Sequence, residues 1–226
     1  GISWFRSKIN KRTKVLQRFQ MVSIEQILQR CRIIPVLTIR NIEDAVPLAH
    51  AIFEGGLSTI EITLRTPEAF AALEAMAKHF PEFSIGVGTV IHDVDIRRAK
   101  ESGAAFAVSP GISIELIEKA SLEKLPYLPG IQTSSEALLG SRLGIKFLKF
   151  FPAKIAGGVE GLKQLGPVYP DLMFCPTGGI GFNEAPDFLA QKNVISVGGS
   201  FASPQNLIAK RDWSAIKTLA KRAAKL

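Results

Sequence analysis

Thr59-Ile60-Glu61-Ile62-Thr63-Leu64 alternates strictly, and its two faces differ in character. Successive side chains of a strand point to opposite faces. Ile60, Ile62 and Leu64 therefore share one face, while Glu61, Thr63 and the following Arg65 share the other. The aliphatic face suits a cover of helices. The opposite face carries a carboxylate, a hydroxyl and a guanidinium toward the inside of the fold, where an unpaired charge is costly. On this strand alone, a buried Glu–Arg pair that only closes the fold accounts for the residues as well as a ligand site does.

Seven further apolar runs occupy 33–39, 84–90, 106–110, 127–131, 145–151, 172–179 and 194–200. Between consecutive runs lies enough chain for a turn, a helix and a return. The stretch from Pro67 to Lys78 is one such helix, with proline in its first turn, Glu68 after it, and apolar residues at 3–4 spacing. A last helix, from about Asp212 to Lys225, gathers Trp213, Ile216, Leu219 and Ala220 on one side. Eight strand–helix units in a row predict a (β/α)8 TIM barrel of the α/β class. An open doubly wound sheet is the alternative, but no GxGxxG follows the first run. No linker or low-complexity segment interrupts residues 21–226, which read as a single domain. In such barrels the site lies at the C-terminal ends of the strands.

The chain has 226 residues, 46% of them hydrophobic and 21% charged, which is an ordinary globular composition. No apolar run reaches the roughly 20 residues that a membrane helix needs. The net charge of +8 is concentrated at one end. Residues 1–20 hold Arg6, Lys8, Lys11, Arg12, Lys14, Arg18 and no acid, leaving +2 for the rest. With Met21 following, this basic extension reads as a disordered or non-native start rather than an arm for nucleic acid or membrane. Cys31 and Cys175 stand far apart and outside any CxxC pair, so they read as buried thiols of a cytoplasmic protein.

Lys149 sits inside Phe147-Leu148-Lys149-Phe150-Phe151. Lysine is almost never fully buried without cause. Aromatic surroundings favour the uncharged amine, which is a nucleophile toward a ketone. A lysine snorkelling to the mouth of the barrel is the plainer alternative, and it is the expected behaviour of Lys146. The seventh and eighth runs both end in glycines, Thr177-Gly178-Gly179 and Gly198-Gly199-Ser200. Loops at these two positions commonly bind phosphate through backbone N–H groups. An amine, a carboxylate, an arginine and a phosphate cradle together suit carbon–carbon chemistry on a phosphorylated keto acid.

The chain resembles the 2-keto-3-deoxy-6-phosphogluconate (KDPG) and 4-hydroxy-2-oxoglutarate (KHG) aldolases of the Entner–Doudoroff pathway. The resemblance runs from about Ile33 to Ala202. It rests on Glu61-Ile62-Thr63-Leu64-Arg65-Thr66, Gly88-Thr89-Val90, Ser109-Pro110-Gly111, Pro129-Gly130-Ile131, Phe147 to Ala153, Cys175 to Ile180, and Gly198-Gly199-Ser200. It implies a class I aldolase in which Lys149 forms a Schiff base with the C2 ketone and Glu61 is the general acid/base. It implies that Arg65 and Thr89 bind the pyruvate part and that Thr177 lies near the substrate. Gly178, Gly179 and Ser200 would hold the phosphate, and Pro110 and Phe151 would line the pocket. The family needs no cofactor and no metal, and is usually a homotrimer.

The chain departs from the family pattern at Gly181, Gln132 and Lys154-Ile155, all near strand ends. Those positions bear on acceptor preference or phosphate affinity rather than on the imine. Arg65 favours the gluconate-type substrate over that of the sister phosphogalactonate aldolases. His50, His79 and His92 are scattered, without metal-ligand spacing. Two other functions fit the same residues: a phosphate-binding barrel isomerase or epimerase that forms no imine, and a non-catalytic sugar-phosphate-binding protein.

Overall fold

The computed structural model describes residues 23–226. The basic extension expected over residues 1–20 lies outside the described residues.

The polypeptide alternates strands and helices in an α/β fold. The strands are β1 (Ile33–Leu37), β2 (Thr59–Thr63), β3 (Ser84–Gly88), β4 (Ala107–Val108), β5 (Tyr127–Leu128), β6 (Gly130–Ile131), β7 (Phe147–Phe150), β8 (Met173–Pro176) and β9 (Val197–Gly199). The helices are α1 (Ile24–Arg30), α2 (Ala45–Glu54), α3 (Ala69–His79), α4 (Asp93–Glu101), α5 (Ile114–Leu122), α6 (Ser134–Arg142), α7 (Gly158–Val168), α8 (Ala185–Leu189), α9 (Gln205–Ala209) and α10 (Trp213–Ala223). Each expected run contains a strand, trimmed at its ends. All ladders are parallel, as strands buried on both faces should be.

Six strands pair in the order β5-β4-β3-β2-β1-β9, and three in the order β6-β7-β8. The expected fifth strand is split at Pro129, which has no N–H to give to a ladder. Its carbonyl still accepts from the Lys149 N–H at 2.9 Å. At the other side, isolated parallel bridges join Phe174 to Val194 and Thr177 to Gly198. The sheet curls, because side chains from both ladders meet on its inner side. Ile34, Phe106, Val108 and Leu128 from one ladder pack with Cys175 and Phe147 from the other. Ile24, Ile27 and Leu28 of α1 join that inner cluster.

The helices stack on the outer face, where the larger aliphatic core lies. Local sequence starts several of them. Ser23, Ser113 and Asp212 accept backbone N–H groups at the starts of α1, α5 and α10. Thr133 and Glu136 form a reciprocal capping box at α6. The last helix packs on the first of the outer layer. Gly55, at the end of α2, has no side chain because the Ala220 methyl of α10 occupies that space. Among the described residues no helix is long and apolar enough to cross a membrane.

Candidate active site

Glu61 and Lys149 come from different ladders, β2 and β7, and meet across the inside of the curl. The Lys149 ammonium donates to Glu61 Oε1 at 3.2 Å. Glu61 is 4% exposed and Lys149 5%. So the lysine does not snorkel to solvent. It is held by a carboxylate as deeply buried as itself. Its ammonium also lies 5.2 Å from the centre of the Phe151 ring. Lys146, expected to be solvated, is exposed.

Three details of local packing set this pair. Glu61 lies level with Val36 on β1 and Gly86 on β3. One step on, Gly88 faces it, and a Cβ there would occupy the position of the Glu61 carboxyl. Thr63 does not reach a ligand site. Its hydroxyl donates to the Leu37 carbonyl at 2.9 Å and lies 3.0 Å from the Thr38 hydroxyl, tying β2 to β1. Cys175 is level with Lys149 on β8. Burial pushes its thiol pKa up, and the nearby Glu61 carboxylate adds to that rise, so it is an inert core thiol.

The pair forms the floor of a cavity of about 420 Å³. Glu61, Arg65, Lys149, Phe151, Thr177, Gly178, Gly179 and Ser200 all line it. Arg65 differs from its expected place: it follows the end of β2 and is exposed at the mouth rather than buried inside. Gly178 and Gly179 have φ of 103° and 75°, a left-handed turn that suits glycine. A Cβ on Gly178 would press on the Phe151 ring at 3.3 Å. This turn is stitched to the loop after β7, where the Ala153 and Lys154 N–H groups donate to Thr177 and Gly178 carbonyls at 2.8 and 3.1 Å. Gly198, bridged to Thr177, leaves room for the Thr177 hydroxyl.

Two of the expected residues do not line the cavity. Pro110 packs its backbone against Gly130, where a Cβ would collide with it. Thr89 follows β3 with φ of 62°. A β-branched residue in that region is an outlier, held there by its surroundings. Sequence reading missed Val36, Thr38, Arg40, Ser203 and Gln205, which line the cavity together with Ile180 and Gly199 of the two glycine-bearing motifs. The period-2 pattern carries a signal for the first three, since Val36, Thr38 and Arg40 alternate on one side of the chain leaving β1. His50 and His79 are exposed on helices, and His92 is exposed just before α4. Among the described residues no three His, Cys, Asp or Glu side chains converge as metal ligands would.

Residues 24–219 match the family model for KDPG and KHG aldolase. The chain belongs to this aldolase family. The KHG/KDPG aldolase of Escherichia coli K12 is 40% identical over 201 residues, covering 89% of this chain and 94% of that protein. The 2-dehydro-3-deoxy-phosphogluconate aldolase of Pseudomonas aeruginosa is 38% identical over 200 residues, covering 88% and 91%. Among solved structures, the KDPG aldolase of Legionella pneumophila, with pyruvate captured as a covalent carbinolamine intermediate, superimposes with a TM-score of 0.87. It is 40% identical and covers 88% of this chain and 97% of that one. The curled parallel sheet described above is thus the architecture of a KDPG aldolase.

Proposed function

We infer that this chain is a class I aldolase, a carbon–carbon lyase that reversibly cleaves KDPG to pyruvate and glyceraldehyde 3-phosphate. It serves the Entner–Doudoroff pathway and also takes KHG, giving pyruvate and glyoxylate. The observation that carries this reading is the buried Lys149–Glu61 contact at 3.2 Å on the floor of a cavity that the Gly178-Gly179 turn and Gly199 also line.

The roles follow from the chemistry of the donors. Glu61 takes a proton from the Lys149 ammonium, the freed amine attacks the C2 ketone, and the carbinolamine loses water to give a protonated imine. Glu61, within hydrogen-bond reach of that amine, takes and returns the protons of these steps. It then accepts the C4 hydroxyl proton. The C3–C4 bond breaks, its electron pair passes to the imine nitrogen, and the aldehyde leaves. The enamine takes a proton at C3 from Glu61, and water releases pyruvate and the free lysine. Arg65 at the mouth holds the carboxylate in a bidentate pair. Phe151 lines the pocket and Thr177 lies near the substrate, while Gly178, Gly179 and Ser200 hold the phosphate. Thr89, at the end of β3, joins Arg65 in binding the pyruvate part, and Pro110 sets the loop after β4 beside the pocket. The left-handed backbone of Thr89 costs about 1–3 kcal/mol, and such strain gathers at functional sites.

The finer architecture is proposed on the same footing. The two ladders make one closed (β/α)8 barrel, with the chain from residue 21 onward as its single domain. β1 pairs β9, α10 packs on α2, and Thr177 bridges to Gly198; these contacts support closure. The enzyme is a cytoplasmic homotrimer, and light scattering that gives three times the chain mass of 24.6 kDa is the expected result.

A coupled lactate dehydrogenase assay tests the reaction. Pyruvate should appear from KDPG with the intact chain and not with Lys149→Ala. Turnover retained by Lys149→Ala would instead favour an isomerase or epimerase. Ligand binding without pyruvate would favour a sugar-phosphate-binding protein.

A further inference from the structure

Ser203 is a serine that sequence reading passes over. It is 2% exposed, and its hydroxyl has no hydrogen-bond partner among the described residues. Buried hydroxyls are ordinarily satisfied, so an orphan calls for an explanation. Ser203 also borders the cavity, on the same side as Gly199 and Ser200. That coincidence separates it from a hydroxyl stranded in the core.

The turn that carries it is firmly built. The Ser203 N–H donates to the Ser200 carbonyl at 3.0 Å, so Ser200 and Ser203 close one turn. Within it, the Phe201 ring fills the space that a Cβ on Gly199 would take. The Phe201 ring packs edge-on to Phe182, with centres 4.8 Å apart, and Arg222 lies 4.2 Å over Phe182. Aromatic packing beneath the turn therefore fixes the backbone that presents both serines. Ser200 is exposed at the rim, and Ser203 lies deeper. One rotation about χ1 moves a serine hydroxyl between staggered wells, so a bound oxyanion can recruit it without moving the backbone.

We propose that Ser203 is a specificity-determining residue: its orphan hydroxyl donates to the phosphate of the substrate and completes the cradle of Gly178, Gly179 and Ser200. This rests on the aldolase reading above and extends it. The chain remains competent toward unphosphorylated keto acids, which never reach Ser203, and gains its preference for phosphorylated ones partly from this hydroxyl. A hydrogen bond from a hydroxyl to a dianion is charge-assisted, about twice as strong as a neutral one. A buried hydroxyl without a protein partner is the matching cost, and the phosphate relieves it.

The test is Ser203→Ala, with Ser203→Thr as the variant that keeps a hydroxyl. For Ser203→Ala the KM for KDPG should rise about tenfold, equivalent to about 1.4 kcal/mol, with kcat nearly unchanged. The KM for KHG should stay within about twofold, because a group touching only the phosphate cannot affect a substrate lacking one. Ser203→Thr should recover most of the loss. Inorganic phosphate should raise the melting temperature of the intact chain and do so less for Ser203→Ala. An unchanged KM for KDPG, or an equal rise for both substrates, overturns the proposal. Pyruvate with borohydride separates the two readings. An adduct at Lys149 in both the intact chain and Ser203→Ala, with an unchanged KM ratio, defeats the role of Ser203 alone. If no adduct forms in either, the aldolase reading fails, and the phosphate-induced melting shift still decides whether Ser203 binds the anion.

Discussion

At the scale of single residues, the site depends on what Glu61 is allowed to do. Gly88 leaves the space in which its carboxyl sits. Gly88→Ala should therefore push the carboxyl off Lys149, and displacement of a catalytic group by about 1 Å can cost on the order of 100-fold in rate. Steady-state kinetics on KDPG checks this, and a kcat within threefold of the parent would contradict it. Glu61→Gln keeps the shape but cannot accept a proton. It should lower kcat by about 10²–10⁴, the usual contribution of a positioned acid/base. Both central residues were legible from sequence for one reason: a barrel strand covered on both faces should be apolar, so Glu61 and Lys149 stood out. Thr63 stood out equally and proves to be a tie between β1 and β2. Polarity in a strand reveals that a group has a partner, not whether the partner is backbone or substrate. Ser203 sits in a loop with no periodicity to mark which side faces the cavity. Ser203 became visible only through its missing partner.

Helix starts and strand ends show the same division at the scale of elements. Runs of Ile, Val and Leu located every strand, because parallel strands admit little else. Their ends were less legible: β2 stops at Thr63, which leaves Arg65 outside, and Pro129 divides one expected strand into β5 and β6. The helix α1 was missed altogether. It precedes the first strand, so no strand–helix rhythm announces it. The capping box of α6 makes a measurable prediction. Burial alone would raise the Glu136 pKa, but the Gln132 and Thr133 N–H groups and the Thr133 hydroxyl all donate to it, and the net shift is downward. A carboxyl with a lowered folded pKa contributes stability above its unfolded value, here the ordinary 4.5, and loses it as pH falls through the folded value. Glu136→Ala should thus destabilise the chain by about 1 kcal/mol at neutral pH. Below about pH 4.5 the difference from the parent should shrink. Urea melts at pH 7 and pH 3.5 decide it, and a constant difference would show that charge plays no part.

Across the whole molecule, the fold works as two layers with unlike contents. The outer layer between helices and sheet is aliphatic and holds most of the core. The inside of the sheet is divided along its length. One end is sealed by Leu28, Phe106, Leu128 and their neighbours under α1, and the other holds the Lys149–Glu61 pair beneath the cavity. The sealed end keeps the buried ion pair dry from below. Leu28 is fully buried there, so Leu28→Ala should cost about 2–5 kcal/mol in a denaturation experiment. A loss under 1 kcal/mol would mean that α1 is a loose cover. The closed barrel and the trimer proposed above would extend this picture beyond single contacts, and the light-scattering mass tests the trimer directly.

Everything in the functional account passes through the amine of Lys149. Incubation with pyruvate and borohydride, followed by peptide mapping, should place one covalent adduct on the peptide that carries Lys149 and none after Lys149→Ala. An unmodified Lys149 peptide, or an adduct on another lysine, would contradict the account.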